Sequence, residues 1–201
     1  MDGLGDGAAE ADLLVQATWV VAVRTASIEP GVREILQEAG LSTKAFYRHF
    51  RSKDELLLVA MNRGSQVLVE YLEHRMEGVP DPVSKIREWI LGCLRQAANP
   101  AAARRLLPWT LGIGRIATMF PKQIERNQAS IVALLEREIA HAVADGSGRS
   151  SDPAADAMII YAYTAYTVQK HLINGTAPKA ATTNQLVEFA YRALGAQPGT
   201  S

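Results

Sequence analysis

The sequence predicts an all-α protein: an N-terminal three-helix module followed by a larger helical domain, about nine helices together. Apolar residues recur at the three-to-four-residue spacing of helices along the 201-residue chain, and no segment alternates as a strand does. Pro- and Gly-containing breaks divide these periodic segments into helices joined mostly by short loops. Hydrophobic residues make up 48% of the chain, ordinary for a globular protein, and the longest apolar run is far short of a bilayer span.

Residues 1–10 read as a disordered acidic start, rich in glycine and carrying Asp2, Asp6 and Glu10 without a Lys or Arg. A first helix follows from Ala11 to about Thr25, with Leu14, Val15, Trp19, Val20 and Val23 as its apolar residues. Pro30-Gly31 interrupts it, because proline lacks a donor and glycine frees the next turn. Val32, Ile35, Leu36 and Ala39 then share one face of a short helix that Gly40 ends. Ser42 is placed as the N-cap of a second short helix reaching about Phe50. Ser52 and Glu55 have capping-box spacing and open a long helix to about Glu77, with Leu57, Met61, Leu68, Leu72 and Met76 down one side.

Gly78–Pro82 reads as a linker, and Val83–Ala98 as the next helix. A short helix is expected around Ala101–Leu107, while Pro108–Phe120, with Gly112 and Gly114, resists assignment. Pro121 suits the first turn of a helix to about Ala144. After the loop around Asp145–Pro153, the helix from Ala154 to about Asn174 is apolar on nearly every side, and so needs cover on every side. A last helix is expected over Thr183–Leu194. The resulting domains are 1–10 as the start, 11–52 as a helix-turn-helix module, 53–195 as a helical ligand-binding and dimerisation domain, and 196–201 as a tail.

The 21 basic and 21 acidic residues cancel, but they are unevenly distributed. Between Gly40 and Lys53 stand Lys44, Arg48, Arg51 and Lys53 with no acidic residue. Screening confines a charge's field to about 8 Å in physiological salt, so this local stripe matters more to a phosphate than the total. The apolar residues of 32–41 pack the two short helices together, with Phe46 and Phe50 anchoring the second from behind. Thr43, Lys44, Ala45, Tyr47, Arg48 and His49 are left nearer the open side, the arrangement of a recognition helix in a major groove.

Ala-Gly-Leu-Ser at 39–42, Phe-Tyr-x-x-Phe at 46–50 and Ser-Lys-Asp-Glu-Leu at 52–56 together resemble the DNA-binding signature of the TetR (tetracycline repressor) family over about residues 31–58. The resemblance implies a homodimeric transcriptional regulator, usually a repressor, that binds double-stranded operator DNA and responds to a small-molecule effector. The residues expected at DNA are Arg33, Ser42, Thr43, Lys44, Ala45, Tyr47, Arg48, His49 and Lys53. Lys44 can reach guanine or phosphate, and Tyr47, His49 and Lys53 suit phosphate oxygens. The sequence departs from the family where Ala22 and Ala26 replace a usual Phe and Gly, where Glu29-Pro30-Gly31 replaces a capping Thr-Ser, and where Leu36 replaces Ala.

In the larger half, Trp89, Cys93, Trp109, Ile113, Phe120, Gln128, Tyr161 and Tyr163 are candidates to line an apolar effector pocket. Arg115 and His171 are further polar groups able to orient a ligand there. Met158, Tyr166 and Ile173, with Leu186, Val187, Ala190, Tyr191 and Leu194 on the last helix, are the expected dimer interface. Cys93 stands alone, so no internal disulfide forms, and the histidines suggest no metal site. No cofactor is expected. No phosphate loop, nucleophile elbow or His-Glu-x-x-His pair suggests an enzyme. No secretory signal or membrane span is evident, so a cytoplasmic location is expected. The competing reading is a DNA-binding regulator whose ligand site is vestigial and which a partner protein controls.

Overall fold

The computed structural model describes residues 3–196, with side chains from Gly7 onward. Nine α-helices and no strand lie among the described residues. In chain order they are α1 (Gly3–Thr25), α2 (Val32–Ala39), α3 (Thr43–His49), α4 (Lys53–Met76), α5 (Pro82–Ala98), α6 (Pro100–Met119), α7 (Pro121–Ala144), α8 (Pro153–Ile173) and α9 (Ala180–Ala193). They form two compact units, one of residues 3–64 with 104–123 and the other of 65–103 with 124–196.

In the first unit α1 packs on α2 and α3. Leu14, Ile35, Phe46 and Leu56 are fully buried there, each burial worth about 1.5–3 kcal/mol. The Trp19 indole donates to the Ala60 carbonyl at 3.0 Å, which ties α1 to α4. Trp109 of α6 lies against Trp19 with ring centroids 4.4 Å apart, and Arg105 covers the Trp19 ring at 4.8 Å. These contacts explain why residues 104–123 belong with the N-terminal helices, which no local sequence signal indicates. The units therefore divide within α4 and α6, not at the expected 52/53 boundary.

The Pro108–Phe120 stretch is helical. It continues α6 without a break to Met119, and Pro108 is buried inside the helix. Close packing accounts for Gly112, since a Cβ there would meet Ile28 Cδ1 at 2.0 Å, closer than any real contact, whereas Gly114 has open space around it. The expected disorder over 1–10 is also corrected, because α1 runs from Gly3; residues 1–2 and most of the 196–201 tail lie outside the described residues. Ala8 and Ala9 favour helix, and Glu10 gains partners from α3 that no local pattern signals.

The second unit has one continuous apolar core, in which α5 packs on α8 and α9. Trp89, Ile86 and Ile90 of α5, Leu135 and Ile139 of α7, Ile160 of α8 and Leu186 of α9 are its fully buried centre. The Trp89 indole donates to the Ile131 carbonyl at 3.2 Å, so the largest core side chain keeps its polar atom paired. Glu138 is the one charged residue buried among those described, held by Arg137 at 2.9 Å, His141 at 3.3 Å and Lys85 at 3.7 Å. Burial opposes its ionisation, but the bonds from Arg137 and His141 and the Lys85 charge outweigh it and hold the carboxyl below its usual range.

Candidate nucleic-acid interface

The turn between α2 and α3 is built from its own short-range bonds. Gly31 caps α2 in extended conformation, and its N–H donates to the Glu34 carboxylate at 2.9 Å. Gly40 ends α2 at φ 66°, a left-handed geometry that costs glycine nothing, and the Leu41 N–H closes on the Leu36 carbonyl at 3.0 Å. The Ser42 hydroxyl accepts from the Ala45 N–H at 3.2 Å and starts α3 as the sequence predicts. At the start of α4 the Ser52 hydroxyl accepts from the Glu55 N–H, while the Glu55 carboxylate takes the Arg51 N–H at 2.7 Å, one residue before the one a capping box would use.

Ala45, Phe46 and Phe50 face the unit's interior, and the Phe46 ring meets Tyr47 edge-on at 5.2 Å. Thr43, Lys44, Tyr47 and Arg48 face outward, Tyr47 with 65% of its surface exposed. An exposed phenol on a helix flanked by Lys44 and Arg48 offers donors to phosphate oxygens and base edges. Arg33 and Ser42 are exposed, and Lys53 is partly covered at the first position of α4. Ala45 is the correction among the expected contacts: at 4% exposure it packs inward, on the same face of α3 as His49, whose side chain is 14% exposed.

His49 is also placed differently. Only 14% of its side chain is exposed, and its Nε2 lies 2.7 Å from a Glu10 carboxylate oxygen. Arg48 bonds the same oxygen at 2.9 Å. Glu10 is a further residue at this surface that sequence reasoning missed, since the pairing spans 38 and 39 positions. The His49 bond, opposed by modest burial and helped by the Arg48 charge, holds the Glu10 carboxyl below its usual range.

A second ion-pair cluster explains one unusual sequence feature. Arg115 of α6 bonds Glu29 and, at 3.2 Å, Asp54 of α4. Glu29, in the segment that departs from the resemblance, is thus paired with α6. Arg115, expected as a ligand-orienting group, is engaged here instead.

Residues 30–60 match the family model described as bacterial regulatory proteins, tetR family. That segment is similar to the DNA-binding region of tetR-family regulators. Its helices also follow those of solved regulator structures. The fatty acid degradation regulator FadR from Bacillus halodurans aligns at TM-score 0.77 and 14% identity, over 98% of this chain and 100% of that one. A TetR transcription regulator from Haloarcula marismortui aligns at 0.76 and 18%, over 92% and 97%. FadR from Bacillus subtilis, in complex with stearoyl-CoA, aligns at 0.70 and 15%, over 89% and 96%. The chain is thus all-α among the described residues, with a tetR-type helix-turn-helix region at residues 30–60.

Of the expected effector residues, Trp89, Cys93, Gln128 and Tyr161 lie together in the second unit, while Trp109, Ile113 and Phe120 belong to the first. Trp89 and Cys93 are core, the first stacked edge-on to Tyr161 at 6.4 Å. Burial pushes the Cys93 thiol up and the Tyr161 hydroxyl up, the latter eased by a bond from Gln128. Trp109 is spent on Trp19. Tyr163 is exposed beside Phe189, and His171 bonds Thr176 at 2.8 Å. A cavity of about 350 Å³ is lined by Glu73, Met76, Glu77, Lys85, Arg137 and Glu138, none of them foreseen. A second, of about 300 Å³, lies near Tyr166, Lys170 and Lys179.

The expected dimer residues separate into two groups. Leu186, Val187, Ala190, Tyr191 and Leu194 are buried in the chain's own core, because α9 turns that stripe toward α5 and α8. Met158, Tyr166 and Ile173 are exposed together with Ile159 and Tyr163, and Phe189 of α9 stands beside Tyr163. The all-round apolar character of α8 is thereby resolved: Ala157, Ile160 and Leu172 face the core and the other side stays uncovered. No helix among the described residues is long and apolar enough to cross a membrane.

Proposed function

We propose that this protein is a homodimeric repressor that binds a palindromic operator through two copies of α3 and is released by a small, largely apolar effector. The carrying observation is the division of α3, with Ala45 and Phe46 buried while Thr43, Lys44, Tyr47 and Arg48 stand clear. Thr43, Lys44 and Tyr47 meet base edges and phosphates, with Arg33, Ser42 and Lys53 at flanking phosphates. The exposed apolar side of α8, with Phe189, supplies the dimer contact, since Met158, Ile159, Tyr163, Tyr166 and Ile173 stand uncovered along one helix. Half-sites then lie about one helical turn apart.

An effector acts by binding the form with misplaced reading helices more tightly, a coupling of about 1–3 kcal/mol. An acyl chain is the first class to test, given the stearoyl-CoA held by the Bacillus subtilis regulator of the same fold. Control by a partner protein is the second reading, favoured by the packed core that already occupies Trp89 and Cys93.

Selection of bound duplexes from a random pool, with and without acyl-CoA, tests both readings. Binding weakened by acyl-CoA, with a raised melting temperature, supports the effector reading; binding indifferent to a panel of apolar ligands supports the partner reading. Lys44→Ala is expected to weaken specific binding by about 1–3 kcal/mol. Intact operator binding by both Lys44→Ala and Tyr47→Ala refutes the assignment of α3.

A further inference from the structure

We infer that Glu10 of α1 is an internal rival of the DNA phosphates and sets how tightly α3 holds DNA, an inference that rests on the DNA-binding reading above. One carboxylate oxygen takes both basic side chains at the end of the recognition helix, His49 Nε2 at 2.7 Å and Arg48 Nη1 at 2.9 Å. Glu10 is ionised, its carboxyl held below the usual range by those bonds, so the proton between Glu10 and His49 sits on Nε2. That N–H is therefore spent. His49 donates to a phosphate only by giving up Glu10 or by carrying a second proton on Nδ1.

Arg48 differs, with 55% of its side chain exposed and further N–H groups free to turn outward. The Glu10 charge still stands against it and repels any phosphate brought to the same place. Counted over the described surface of α3, the two groups that sequence reasoning adds to the phosphate-binding set are offset by a carboxylate from another helix. Lys44 and Tyr47 carry no such partner charge among the contacts described here, which leaves them as the undiminished part of the surface. The effect belongs to tertiary structure, because Glu10 is remote from α3 in sequence.

The consequence is affinity held below what the basic stripe alone would give. Each phosphate neutralised by a protein cation releases counterions and steepens the salt dependence by about 0.9. Freeing Arg48 and His49 is thus expected to raise both affinity and salt slope.

The test is duplex binding by the full-length chain across a salt series, with wild type, Glu10→Gln, Arg48→Ala and the Glu10→Gln/Arg48→Ala double variant. Thermal melting of each runs in parallel. Glu10→Gln is expected to bind roughly two- to fivefold more tightly at low salt, with a slope steeper by about 0.9, and the gain is expected to shrink in the Arg48→Ala background. Glu10→Gln that binds duplex no more tightly than wild type, while melting as a folded protein, overturns the inference and leaves the DNA-binding reading standing. If Glu10→Gln unfolds, Glu10→Asp replaces it: its shorter reach loosens the pair and predicts a smaller gain of the same sign, and an unchanged slope overturns the inference. Absence of duplex binding by wild type overturns the DNA-binding reading itself.

Discussion

Gly112→Ala places a Cβ 2.0 Å from Ile28 Cδ1, 2.1 Å from Cγ1 and 3.1 Å from Cβ. A rotamer change moves only the outer two atoms, and Ile28 is 5% exposed, so it has nowhere to go without displacing its neighbours. Overpacking of this kind costs about 1–3 kcal/mol, and a clash this close belongs at the upper end. Helix propensity works the other way, since alanine is better than glycine within a helix by about 1 kcal/mol. The net expectation is a loss of about 1–2 kcal/mol, read from urea unfolding as a lowered midpoint at constant slope. Ile28→Ala alone costs about 2–4 kcal/mol, as an isoleucine emptied from a core. In the double variant the new methyl meets only the Ile28 Cβ at 3.1 Å, a tight contact that a shift of a few tenths of an ångström relieves, so most of the penalty of Gly112→Ala is removed and its propensity gain remains. The two changes are therefore coupled by more than about 1 kcal/mol. Strict additivity, or a Gly112→Ala variant as stable as wild type, refutes the claim that Gly112 is kept for its closeness to Ile28.

Three further outcomes follow from the same structure. Ala26 sits at φ 50°, a strained left-handed position where the family has glycine, so Ala26→Gly is expected to gain about 0.5–1 kcal/mol in urea unfolding. Cys93 is buried with its thiol pushed up, so a thiol reagent at pH 8 is expected to modify it only as the chain unfolds, as read by labelling against denaturant. Glu138→Gln is expected to cost about 1–2 kcal/mol at pH 7, moderated by the exposure of its partners Lys85, Arg137 and His141. Because the folded carboxyl is held below its ordinary value of 4.5, its contribution is full above that pH and is lost as the pH falls through the folded value. The gap between variant and wild type is accordingly expected to narrow in acid, as measured by unfolding from pH 7 downward.

How legible the molecule is depends on whether the deciding interactions are local. The break at Pro30-Gly31, the caps at Ser42 and Ser52 and the stop at Gly40 act within about four residues, so their spacing alone locates α2, α3 and the start of α4. Helical periodicity likewise reveals α7, and the surfaces of α3 are divided by residues three and four apart. Ala45 shows the limit even here, since a small side chain carries no pattern of its own and its neighbours decide that it faces inward. The α9 stripe shows another: apolar spacing tells that a face is buried, not whether the cover comes from this chain or from a second copy.

The sequence by itself determined the helical class, the helix-turn-helix and its exposed Lys44 and Tyr47, because these follow from periodicity and capping within short windows. Tertiary structure alone decided that Glu10 opposes Arg48 and His49, that Arg115 binds Glu29 and Asp54, and that Trp109 rests on Trp19. Those contacts join residues between 38 and 90 positions apart, where charge and shape complementarity exist only after the chain has folded.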